Sequence, residues 1–166
     1  MSKALFVKTL EIAEYTALNG NVDVDKYKQF LWIAQEIDIQ NYLGTDLYNK
    51  ISADIIAGTL TGNYATLVSN YIKPMCLHFA MVQFLPWAAY QISNKGIYKH
   101  GSENSETVDK IEVDFLVQKE RSIAENYAKR FIDHMCFNSS LYPEYNSNSN
   151  GDISPDKDVN YSSWFL

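Results

Sequence analysis

The chain has 166 residues, with a hydrophobic fraction of 46% and an aromatic fraction of 14%. These values suit one ordinary domain with a real core and exclude disorder over most of the length. The formal charge is −6, and Arg121 and Arg130 are the arginines, so a large nucleic-acid footprint is excluded, because phosphate contact needs clustered Lys and Arg.

Ala4 to Val7 form a short apolar run that fits a strand or the entry to a helix. Thr9 to Ala17 carries Leu10, Ala13, Ala17 and Leu18 at helical spacing, while Ile12, Tyr15 and Thr16 keep a strand open. Glu11 and Glu14 interrupt the first fifteen residues, and no signal or transit peptide is expected there. Leu18-Asn19-Gly20-Asn21 is a turn.

Asp23 or Asp25 can cap the next helix, Val24 to Tyr42, whose Tyr27, Phe30, Leu31, Ala34 and Ile37 should point inward. Trp32 and Ile39, seven residues apart, fall on roughly the opposite face. Two readings stay open for that pair: partial burial under a loop, or a second face that meets another subunit. Gly44 suits a helix end, Thr45 an N-cap and Asp46 the first turn of a second helix, which Gly58 ends. This helix-turn-helix corner lacks the basic side chains of a DNA reader beyond Lys50.

Asn63 can cap a helix carrying Leu67, Val68, Tyr71 and Ile72, and Pro74 should break or kink it. The stretch Tyr71 to Gly96 organises the rest. No formal charge lies between Lys73 and Lys95, and Met75, Leu77, Phe79, Met81, Val82, Phe84, Leu85, Trp87 and Tyr90 fall on every side of a helical wheel. A helix apolar all round must be buried on all sides. Pro86, His78, Gln83 and the unpatterned flanks argue against a membrane span. Ser93 to Gly96 should close this helix, and Ile97 to Ser105 should be a polar loop with an exposed Ile97-Tyr98 pair.

Ser105 or Thr107 should cap the last helix. Ile111, Val113, Phe115 and Val117 alternate as a strand would, but their flanks favour helix. Ile123, Ala124, Tyr127, Ala128, Phe131, Ile132 and Met135 then make an inward stripe. Beyond Asn138 the chain is rich in Ser, Asn, Asp and Pro and reads as an extended tether. It carries Tyr161, Trp164, Phe165 and Leu166, which suit an anchor on a partner. Folding back onto its own domain is the rival reading. Deleting Pro143 to Leu166 is expected to leave the bundle folded and to block assembly.

Catalytic and metal signatures are weak. Cys76-x-His78 and His134-x-Cys136 set their side chains about 200° apart on a helix, so neither pair converges on one ion. Both cysteines read as small buried hydrophobes in a reducing compartment. There is no nucleophile elbow, P-loop or dinucleotide fingerprint, and the expectation is a non-enzyme without cofactors. The expected fold is all-α: a single bundle of four to five helices around a buried, proline-kinked central helix. Residues 1–140 would form the helical domain and 141–166 an extended C-terminal arm.

The segments DVDKYKQFLWIAQEIDIQNYLGTDLYNKI, LVSNYIKPMCLHFAMVQFLPWAAYQISNKGI and the loop HGSENSE before a final helix ending near PEY resemble helical head-to-tail connector proteins of tailed bacteriophages, as found in phages of the Bacteroidetes, including crAss-like phages. The resemblance spans roughly residues 5 to 145 and rests on the order and spacing of elements. It implies a virion neck protein made in the host bacterial cytoplasm. It further implies a homo-oligomer, typically a dodecameric ring, that docks beneath the portal protein, meets the next connector ring or a tail protein, and lets DNA pass through its lumen without specific binding. Trp32, Ile39, Ile97, Tyr98, Tyr161, Trp164, Phe165 and Leu166 are the expected interface residues. The alternatives are a cytoplasmic adaptor using the same apolar helix face, and a small enzyme using His78 or Cys76 in a pocket.

Overall fold

The computed structural model describes residues 4–8, 10–18, 24–88, 90–93, 96–99, 109–147, 149 and 151–158. Over these the chain is an all-α bundle with one small hairpin. The helices are α1 (Glu11–Tyr15), α2 (Val24–Ala34), α3 (Gln40–Ala57), α4 (Gly62–Leu67), α5 (Lys73–Ala88), α6 (Lys110–Asn138) and α7 (Pro143–Asn146). A π turn, Gln35–Ile39, joins α2 to α3, and another, Val68–Ile72, joins α4 to α5.

α5 lies at the centre, packed against α2 on one side and α6 on the other. Its Met75, Cys76, Leu77, Phe79, Ala80, Met81, Val82 and Phe84 are buried, as a helix with no polar face must be. Phe84 receives Tyr27 and Phe30 of α2 edge-on, with ring centroids 5.2 and 5.4 Å apart, and the Tyr27 hydroxyl donates to the Leu77 carbonyl at 3.2 Å. α6 contributes Ala124, Ala128, Phe131, Ile132 and Met135.

The central helix is shorter than its composition suggests. It stops at Ala88, and Tyr90–Ser93 (β1) pairs antiparallel with Gly96–Lys99 (β2), Ile92 opposite Ile97. The expected helix through Ser93 and the first residues of the expected polar loop, Ile97 to Lys99, are thus corrected to a hairpin, while the rest of that loop lies outside the described residues. Pro86 is the reason within reach of the sequence, since a proline weakens the helix where the next residues, Tyr90, Gln91 and Ile92, favour extended chain. Pro74, by contrast, breaks nothing. The π turn before it lets the Lys73 N–H reach the Val68 carbonyl five residues back, so the helix runs on past a residue with no N–H to offer.

The first π turn corrects the inward face of α2. Ile37, expected inside, is 56% exposed, and Ile39, expected outside, is 0% exposed. A π turn spends one extra residue per turn, so every side chain after it is rotated back by about one position, or ~100°. Ile39 then continues the buried line of Leu31 and Ala34 toward Leu43.

Other expectations are also adjusted. Asp109, not Ser105 or Thr107, caps α6, in a reciprocal capping box with Glu112. Thr61 precedes α4 without a side-chain cap, so Asn63 is not one. Among the described residues before α2, only Glu11–Tyr15 is helical, with Ile12 buried and Leu10 exposed. Ala4 to Val7 form neither strand nor helix. They are held by the buried Gln35, whose amide accepts from the Phe6 N–H at 2.9 Å and donates to the Ala4 carbonyl at 2.8 Å. Cys136 is exposed rather than buried, and the Cys76 thiol is buried, its pKa pushed up to about 12 by desolvation. Ile123, expected in the inward stripe, is 38% exposed.

The segment beyond Asn138 packs onto the bundle as far as it is described. Tyr142 and Tyr145 are core residues. Tyr145 meets Phe131 edge-on at 6.0 Å, and the Tyr142 hydroxyl donates to the Asn63 carbonyl at 3.2 Å. The tether reading is therefore corrected for the described residues of this segment, 139–147, 149 and 151–158. Polar composition there marks hydrogen bonding to a host surface, because few of its residues need an apolar pocket.

Candidate functional site

Three features stand out once the bundle is assembled: a kink closed by the C-terminal segment, a polar seam between the first π turn, α5 and α6, and an outward apolar row on α6.

The kink sits at Gly44, where φ is 72° and ψ is 160°, a region essentially reserved for glycine. In an unbroken helix the Thr45 N–H would donate to the Asn41 carbonyl, four residues back. At Gly44 that bond is missing, and both halves are taken by residues 151–158. The Thr45 N–H donates to the Ile153 carbonyl at 2.9 Å, and the Asn41 carbonyl accepts from the Asp156 N–H at 2.8 Å. Pro155 lies against the glycine so closely that a Cβ there would stand 2.6 Å from its Cδ. The Thr45 hydroxyl donates to Asp152 at 3.0 Å and accepts from the Ile153 N–H at 3.2 Å. Asp46 accepts from the hydroxyls of Ser147 and Ser149 at 2.7 and 2.6 Å.

In the polar seam, Asp38 of the first π turn accepts from Gln83 and feels the Arg121 guanidinium, while its Oδ2 has no hydrogen-bond partner among the described residues. Burial dominates and raises its carboxyl to about 6. Farther along α5, His78 Nδ1 lies 2.7 Å from Glu120, and the ring stacks on Tyr127 at 5.5 Å. At the other end of the helix pair, His134 stacks on Tyr71 at 4.4 Å, and burial lowers its pKa. Among the described residues no group of three or more His, Cys, Asp or Glu is placed to hold a metal ion. A cavity of about 140 Å³ is lined by Glu11, Tyr15, Ser69, Lys73, Pro74 and Leu77, with neither Cys76 nor His78 in its wall. The Lys73–Glu11 ion pair, at 2.6 Å, lies across that wall.

α6 is 29 residues long, yet its buried residues all come from Ala124 onward. Its outer side shows Leu116, Ile123 and Phe137, 46%, 38% and 88% exposed, with Phe115 and Ile111 beside them. Residues 116, 123, 130 and 137 are spaced by seven, which keeps them along one line of a helix. The seven-residue spacing is the sequence signal that could have found this row. It was masked by the stronger inward stripe one residue away.

Of the expected interface residues, Trp32 is half-buried on α2 and Ile39 is in the core. The backbone of Ile97 and Tyr98 lies in β2, and Tyr161, Trp164, Phe165 and Leu166 lie outside the described residues. Trp32 and Ile39 do not share a surface, for the reason the π turn gives.

Among the described residues no helix is long and apolar enough to cross a membrane. No curated protein and no solved structure matches the chain. A family model described as a family of unknown function (DUF6712) matches residues 39–155, from the end of the first π turn to the proline that packs on Gly44. That match covers well over half of the 166 residues, and the chain therefore belongs to the DUF6712 family of unknown function.

Proposed function

We propose that this chain is a virion structural protein, a subunit of a head-to-tail connector ring that docks below the portal, continues the DNA channel and joins capsid to tail. The order and spacing of its elements resemble such connectors. The observation that carries the reading is the placement of large apolar side chains on separate elements, exposed among the described residues: Ile37 after α2, Ile56 on α3, Trp87 on α5, and Phe115 and Phe137 on α6. Scattered single residues would be ordinary. Several on distinct elements suit a subunit that must offer unlike faces to its neighbours, as head-to-tail rings require. The acidic balance suits a lumen along which DNA slides without sticking.

Quantitative mass spectrometry of purified particles from the source tests this, with copy number referred to the portal protein. Near-equal copies are expected. Absence from particles would sink the role and favour the second reading, an adaptor that buries the same apolar side chains against one soluble protein partner.

A further inference from the structure

We propose that the outer face of α6 is a self-pairing surface, occupied by α6 of a second copy running antiparallel to it. The pairing is a property of the free chain and does not depend on the connector reading.

The line Leu116, Ile123, Arg130, Phe137 runs along the side of α6 away from Ala124, Ala128, Phe131, Ile132 and Met135. A seven-residue row drifts by about 20° per repeat on a straight helix, and a second helix follows it with a slight left-handed crossing. Three of the four residues are apolar and exposed. The fourth, Arg130, lays its guanidinium over Tyr127, 5.5 Å from the ring centroid, and leaves its aliphatic stem as apolar cover.

The occupant follows from the order of residues. With a two-fold axis beside Asn126 and Tyr127, Leu116 of one copy lies level with Phe137 of the other, and Ile123 lies level with the stem of Arg130. Lys119 and Asp133 flank the row on one side, and the same axis brings each to within about one residue, or ~1.5 Å of rise, of its opposite charge in the second copy. Asp133 already pairs with Lys129 of its own helix at 3.5 Å, both well exposed, and would bridge the two lysines. A parallel pairing in register would instead set Arg130 on Arg130 and leave Lys119 and Asp133 of the two copies on opposite flanks of the seam, where they cannot pair. The face is thus its own complement in one direction only, as an isologous interface requires. Asn126 near the axis would face its copy, a polar contact of the kind that fixes register.

The test is the mass of the purified full chain by light scattering across roughly 1 to 100 μM, the range in which a small interface of this kind associates. A dimer is expected, and Phe137→Glu should convert it to monomer with unchanged helical circular dichroism. Lys119→Asp and Asp133→Lys should each weaken association at least about ten-fold, and the double variant should recover it. A monomer at every concentration overturns the proposal, and so does an oligomer that Phe137→Glu and the charge reversals leave unchanged, or a failure of the double variant to recover.

Discussion

The rod from Val24 to Ala57 contains two irregularities only a few residues apart, and they are satisfied in opposite ways. The π turn at Gln35–Ile39 keeps its backbone bonds within the helix, with the Gln40 N–H reaching the Gln35 carbonyl. The Gly44 kink opens a backbone pair that Ile153 and Asp156 close from more than a hundred residues away. One is a local change of pitch; the other is a joint that exists only because the chain returns to it. A helix can be deformed cheaply when it keeps its own hydrogen bonds, whereas a broken one needs outside partners for each freed N–H and C=O.

This contrast can be broken most directly by shortening the chain. Ending it at Tyr142 removes Tyr145 from the core along with every contact that residues 151–158, the strap, make across the Gly44 kink, and should cost about 4 kcal/mol, the scale of an aromatic truncation. Ending it at Asp158 keeps all the contacts described. Urea unfolding of the two forms should separate them clearly, and equal midpoints would mean that the strap contributes nothing. The expectation that deletion from Pro143 leaves the bundle folded is thereby sharpened, because Tyr145 is a core residue and its loss should lower stability.

Gly44→Ala should cost about 3 kcal/mol, because the backbone region disfavours a side chain and Pro155 must move. Gly58→Ala is the matched control. Its φ is also positive, at 69°, but nothing lies within 4 Å of the added Cβ, so about 1 kcal/mol is expected from the left-handed backbone alone. Thermal melts that rank the two alike would show that Pro155 does not press on residue 44.

At the π turn the informative change is electrostatic. The folded Asp38 carboxyl sits near 6 against an ordinary 3.8, so between those values the folded state binds more protons than the unfolded one, and stability falls as pH rises through that window. Above it the penalty is complete. Asp38→Asn should therefore stabilise by about 1 to 2 kcal/mol at pH 7, after allowance for partial solvent screening, with the gain vanishing near pH 4. Denaturant titrations at both pH values check the sign.

The smallest effect is expected from deleting Glu36. Removing one residue returns the π turn to α pitch and leaves Ile39 and everything after it on the same face, so unfolding free energy should change by no more than about 1 kcal/mol. Deleting a residue beside Gly44 would offset the strap register instead. A collapse of the Glu36 deletion would show that the π turn holds more than its own geometry.

Much of the fold was legible because it is written in local patterns. The largely apolar run of Met75 to Phe84, free of Asp, Glu, Lys and Arg, demanded a central buried helix, Gly44 and Gly58 marked helix ends, and Phe131, Ile132 and Met135 drew the inward line of α6. The exchange of Ile37 and Ile39 was not legible, since periodicity assumes a constant pitch and one added residue defeats it. The hairpin after Ala88 was hidden by an apolar composition that continues through Tyr90 and Ile92. The outward row of α6 was overshadowed by a stronger stripe beside it.

The sequence by itself determined the helical class, the central position of α5 and the two glycine stops, because hydrophobic periodicity and backbone freedom act over a few residues. Only the tertiary structure decided where the Ser- and Asn-rich segment goes. Its composition offers little apolar area and many hydrogen-bonding groups, and those are satisfied equally by water or by a helix that has opened a matching pair. The choice between them depended on Asn41 and Thr45 being left without each other at Gly44.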